Sequence, residues 1–122
     1  MSKEAYVTIY TAKLLKEHGF GWECNRYYDG EDYFVTAASD NWNDDTEMVS
    51  IPTHQMVCRW LREVHHIFIE IGASIDINGV YHFGYRILDK SCNYVRRGYT
   101  EFYWTYEKAV EAALKYCLEN LI

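Results

Sequence analysis

The chain has 122 residues, a net charge of −6, and a composition that is 49% hydrophobic and 25% charged, which fits one globular domain and excludes wholesale disorder. The acidic balance opposes attraction to phosphate backbones, whose affinity comes from Lys and Arg, so composition argues against nucleic acid as a partner. Twelve Tyr and four Trp stand out; each joins an apolar body to a polar tip, which suits half-buried sheets and protein interfaces.

Residues 1–6 carry no apolar run of signal-peptide length, and no stretch nears the roughly 18 apolar residues of a membrane span. The expectation is a cytoplasmic protein with no membrane contact. Cys24, Cys58, Cys92 and Cys117 are far apart in sequence and read as free thiols.

In chain order, residues 11–20 read as a short helix. Thr8 or Thr11 supplies the N-cap oxygen, Gly19 the left-handed C-terminal residue, and Phe20 folds back on Leu15. Residues 22–28 and 33–38 flank Asp29-Gly30 and read as a hairpin. Residues 39–49 hold Asp40, Asn41, Asn43, Asp44, Asp45 and Glu47 and read as an exposed acidic loop with Trp42 in its middle.

Pro52 is expected in the first turn of the main helix, residues 53–66. At 100° per residue, Met56, Val57, Trp60, Leu61 and Val64 fall on one arc, with Gln55, Arg59, Arg62, Glu63 and His66 opposite. The helix is expected to pass without a linker into a strand over residues 67–75. Asn78-Gly79 suits a type I′ turn, and residues 80–88 return antiparallel. Tyr81, Phe83, Tyr85 and Ile87 then share one face, and His82, Gly84 and Arg86 the other. A further strand is expected over residues 94–104. Thr105 caps a last helix that buries Ala109, Val110, Ala113, Leu114, Cys117, Leu118 and Leu121, and Glu111 with Lys115 forms an exposed i,i+4 pair.

The fold class is therefore α+β. One antiparallel sheet of about five strands with three helices, in the order α-β-β-α-β-β-β-α, is expected to carry its helices mainly on one face.

Few residues offer chemistry. His54, Cys58 and His65 lie at one edge of the main helix's apolar arc, but Cys58 and His65 are about 10 Å apart along the axis, too far for one metal ion. His54 and Cys58 are weak metal candidates, and no cofactor is called for. His65-His66 near Glu63 and Glu70 permits an acid/base site on paper. The acidic loop has calcium-loop composition without the central Gly or the twelfth-position Glu. The familiar nucleotide and hydrolase motifs are missing from the sequence. Strands followed by a helix resemble the order of double-stranded RNA-binding domains, but the last helix lacks their basic row. The available basic group is Arg86, Lys90, Arg96 and Arg97.

Residues 11–20, Pro52-Thr53-His54-Gln55, Trp60-Leu61-Arg62-Glu63 and residues 106–112 resemble segments of small uncharacterised proteins encoded in bacterial phages and prophages. The resemblance spans most of the chain but rests on helix faces and caps. It implies a bacterial accessory protein and transfers no catalytic residue.

The sequence thus favours a non-enzymatic protein that meets another protein, or a second copy of itself. The Tyr-rich sheet face (Tyr81, Phe83, Tyr85) or the acidic loop (Trp42, Asp44, Asp45) would form the contact. A nucleic-acid-binding module and a small metal-dependent or acid/base enzyme are the alternatives.

Overall fold

The computed structural model describes residues 4–96 and 102–122. Helix α1, Ile9–Glu17, starts where the Thr8 hydroxyl accepts the Thr11 N–H, and stops as Gly19 turns left-handed at φ 82°. The Phe20 N–H then reaches back to the Leu15 carbonyl at 3.0 Å. This is the closure its sequence leads one to expect.

Strands β1 (Cys24–Tyr28) and β2 (Tyr33–Asp40) form the first hairpin. The main helix α2, His54–His65, is capped by the Thr53 hydroxyl, which accepts the Met56 N–H at 3.1 Å. Pro52 therefore precedes the cap instead of sitting in the first turn, and its carbonyl accepts the Val7 N–H. Val57, Trp60 and Leu61 are buried as the wheel requires, whereas Val64, on the same arc, is half exposed. Two residues separate α2 from the next strand: His66 adopts the left-handed conformation at φ 57°, and the Ile67 N–H closes on the Leu61 carbonyl.

The second hairpin pairs β4 (Phe68–Ile75) with β5 (Tyr81–Leu88) in unbroken register from Phe68↔Leu88 to Ile75↔Tyr81. Its turn is not type I′. Gly79 has φ 80° but Asn78 has no positive φ, and the Asp76 N–H bonds to Val80 while Gly79 N–H bonds to Asp76. This is a three-residue loop with a single left-handed glycine. Asp76 Oδ1 organises it by accepting the N–H groups of Asn78 and Val80.

After β6 (Tyr94–Arg96), helix α3 (Tyr106–Asn120) begins at the Thr105 cap and buries Ala109, Val110, Ala113, Leu114, Cys117 and Leu118. The expected strand over residues 94–104 is seen as β6 plus a bridge from Tyr103 to Phe83. Residues 97–101 between them lie outside the described residues.

The single five-stranded sheet is corrected to two separate three-stranded antiparallel sheets, ordered β2-β1-β3 and β4-β5-β6. The difference lies in β3, Val49–Ser50, which the sequence reads as the end of a loop. It pairs with Tyr27 and Tyr28 on β1 and closes the first sheet before α2 begins. Chain emerging from α2 then starts a second sheet. One core serves both: Phe20, Cys24 and Ile51 below the first sheet join Trp60, Leu61, Ile87, Leu114 and Leu118 in a single buried cluster. Phe20 meets Trp60 edge-on, ring centroids 5.3 Å apart.

Candidate functional site

Among the described residues, two gatherings of polar or aromatic groups bear on function. The first is where α1, α2 and α3 converge on Glu111. Its Oε1 lies 2.8 Å from His54 Nε2, and its Oε2 accepts hydroxyl hydrogen bonds from Thr8, at 2.9 Å, and Thr11. The sequence assigns Glu111 to the solvent face with Lys115. It instead faces inward, and Lys115 Nζ lies 5.0 Å over the Tyr10 ring. Burial would raise the Glu111 carboxyl pKa, but the hydrogen bonds from His54, Thr11 and Thr8 outweigh it and hold it below the ordinary value.

Beside this clasp lies a cleft of about 540 Å³ lined by His54, Cys58, Arg62, Ile69, Ile71 and Tyr106. That volume is in the range of small-ligand sites, yet its chemistry is weak. The Cys58 thiol is pushed up in pKa by burial, partly opposed by Arg62, so it stays protonated and poorly nucleophilic. His54 is oriented by Glu111, and Glu111 is already engaged by three side chains, which is the pattern of a structural clasp. Among the described residues no group of three or more His, Cys, Asp or Glu side chains forms a metal-ligand set.

His65 is not brought to the His54–Cys58 cleft. It packs edge-on against Trp60 at 4.6 Å and lines a separate cleft of about 350 Å³ with Asp89, Lys90 and Ser91. Burial, with His18 and His66 nearby, lowers its pKa. Cys24 and Cys117 are pushed up by burial to about 11 and about 12, and all four cysteines are free.

The acidic loop is not the free loop its composition implies. Residues Trp42–Asp44 form a 3₁₀ turn, and the Trp42 indole N–H donates to the Cys24 carbonyl at 2.8 Å while its ring sits 4.4 Å from Tyr27. Asn43 donates to the Phe20 carbonyl and accepts the Ser50 N–H, each at 2.9 Å. Lys16 Nζ donates to the Asp45 carbonyl at 2.7 Å. Trp42 is thus turned inward, whereas Asp44 and Asp45, like Asp40, Thr46 and Glu47, remain exposed.

The Tyr-rich face of β5 is largely covered. Tyr85 and Ile87 are buried beneath α3, and Phe83 is half-buried 6.3 Å from the Tyr106 ring. Tyr81, at the far end, is open. At this end of the sheet Tyr106 is exposed beside Phe83, and on the opposite face Phe102 and Trp104 are exposed beside His82, Trp104 reaching 66%. Phe102 and Trp104 flank His82 at 6.1 and 4.9 Å, and His82 Nε2 is 3.0 Å from Asp76 Oδ2. This aromatic end is the second gathering. The sequence does hold a signal for it: Phe102, Tyr103 and Trp104 alternate, Tyr103 inward beside Tyr85 and its neighbours outward.

The basic group expected near one turn is divided. Arg86 lies over the Tyr94 ring and 3.9 Å from Glu70, whereas Arg96 lies over Tyr85 and Tyr116 on the opposite sheet face. Lys90 is exposed, and Arg97 lies outside the described residues.

Among the described residues no helix is long and apolar enough to cross a membrane. Comparison with known proteins finds no matching family model, no matching curated relative and no matching solved structure.

Proposed function

We propose that this protein acts without catalysis, as an accessory protein of the phage or prophage kind its segments resemble, by binding another protein through the aromatic end of its second sheet. The observation that carries this reading is the pair Phe102 and Trp104, exposed around His82 on one face of the sheet end, with Tyr81 and Tyr106 exposed on the other. Scattered exposed apolar residues are ordinary, but a contiguous aromatic patch marks an interaction surface, and Tyr and Trp are the side chains that dominate such contacts. The acidic Asp44 and Asp45 remain as a secondary contact.

An enzymatic reading has less support, because the His54–Glu111 pair is absorbed in holding three helices together. A nucleic-acid reading has less support as well, because Arg86 and Arg96 face opposite ways and each already lies on an aromatic ring.

The test is affinity capture with wild type and a Tyr81→Ala/Trp104→Ala variant, followed by rebuilding the complex from the purified partner. The reading predicts that the variant keeps its fold and loses most of the binding. Equal binding by the folded variant would exclude the aromatic end as the contact.

A further inference from the structure

The outer edge of β4 offers a second surface, made of backbone groups, which goes beyond the aromatic end. Strand β4 is eight residues long and terminal in its sheet, and among the described residues no other segment hydrogen-bonds to its outer side. Natural edge strands are blunted by Pro, Lys, bulges or shortness. The sequence Phe68-Ile69-Glu70-Ile71-Gly72-Ala73-Ser74-Ile75 contains no Pro and no Lys, and its register with β5 has no bulge. The other long edge strand, β2, is interrupted: its pairing with β1 shifts between Arg26↔Val35 and Cys24↔Asp40.

Which backbone groups point outward follows from the neighbouring strand. Phe83 bonds with both its N–H and its carbonyl to Tyr103 on the far side, at 2.8 and 2.7 Å. Its partner Ala73 is therefore in a non-hydrogen-bonded pair and turns its own N–H and carbonyl away from β5. By alternation Ile69, Ile71, Ala73 and Ile75 all present their backbone groups at the free edge.

We infer that a second copy of this chain occupies that edge, with β4 antiparallel to β4 about a twofold axis at Gly72, giving one continuous six-stranded sheet. Three features favour β4 itself as the strand that fits. A twofold perpendicular to the sheet places Ile71 opposite Ala73 and Ile69 opposite Ile75, so every outward N–H and carbonyl of those four residues finds a partner. Centring the axis on Ile71 instead leaves Ile75 opposite Ile67, outside the strand. The strand's one charge, Glu70, then faces Ser74 and not its own copy, and it is already held by the Tyr94 hydroxyl at 3.0 Å and by Arg86. Two chains of net charge −6 thus meet along a line with no like-charge contact. Gly72, with no Cβ, lies at the axis, where the two backbones approach most closely.

Sedimentation equilibrium of the purified chain over a concentration series tests this. Wild type should be a dimer, and Ala73→Pro should weaken association by at least about tenfold, because proline removes an outward N–H while leaving the bonds to β5 intact. Ile75→Lys, which places a charge on the edge, should do the same and decides the matter if the proline variant fails to fold. Tyr81→Ala/Trp104→Ala should leave the dimer unchanged, which separates this interface from the aromatic end. A wild type that stays monomeric throughout, or a folded edge variant that dimerises like wild type, would overturn the inference.

Discussion

The two sheets have the same number of strands and opposite means of support. In β4-β5-β6 the central strand buries Tyr85 and Ile87 against α3, so apolar packing holds the sheet. In β2-β1-β3 the outer strand β2 is exposed along nearly its whole length, and order comes from directed polar links: Asn43 to Phe20 and Ser50, the Trp42 indole to Cys24, and Lys16 to the Asp45 carbonyl. A short strand such as β3 buries too little to secure itself. Its backbone groups must be pinned one at a time, and a buried group left without its pin costs free energy.

Ile87→Ala strikes the apolar kind of support. Ile87 is fully buried, and truncation there should lower stability by about 2–5 kcal/mol, read as a fall in the denaturant midpoint of the whole molecule. Asn43→Ala strikes the other kind of support. It leaves the Ser50 N–H and the Phe20 carbonyl without their partner and should cost about 1–3 kcal/mol. The distinguishing measurement is amide exchange: Ser50 should lose protection selectively, whereas Ile87→Ala should lower protection throughout the core.

The Glu111 clasp stands between the two kinds, a polar link buried among three helices. Its carboxyl pKa is lower in the folded chain than the ordinary 4.5, so its stabilisation is fully present above about pH 4.5 and is lost as pH falls through the folded value. Glu111→Gln should remove about 1.5–3 kcal/mol at neutral pH and flatten the acid limb of the stability profile below pH 4.5. An unchanged acid limb would show that the clasp contributes nothing.

The smallest expected effect compares two turns. The loop after β5 repeats the loop before it: Asp89 Oδ1 accepts the N–H groups of Ser91 and Asn93, and Cys92 N–H bonds to the Asp89 carbonyl. Where one loop has Gly79 at φ 80°, the other has Cys92 at φ 60°. Cys92→Gly should raise stability by up to about 1 kcal/mol, and Gly79→Ala should lower it by about 1–2 kcal/mol. Both are readable as shifts in thermal midpoint.

Short-range chemistry is legible in the order of residues. Thr105 caps the last helix, and Thr8, one of two hydroxyls offered for the first, caps that one, because a hydroxyl three residues before an amide can reach it. Ala109, Val110, Ala113, Leu114, Cys117 and Leu118 face inward because their spacing matches the helical period, and both hairpins turn where Asp29-Gly30 and Asn78-Gly79 stand, the second by a three-residue loop in place of the type I′ turn. The aromatic end was only half legible: Tyr81 could be named, but Phe102, Trp104 and Tyr106 needed the sheet to show which rings α3 and β5 leave open. Tertiary structure alone decided that Val49 and Ser50 form a strand, since two residues carry no period and their partner Tyr27 is far away in sequence. It alone turned Glu111 inward, because the hydroxyls and imidazole that receive it come from two other helices. Helical spacing tells which residues share a face; only the packed fold tells what that face meets.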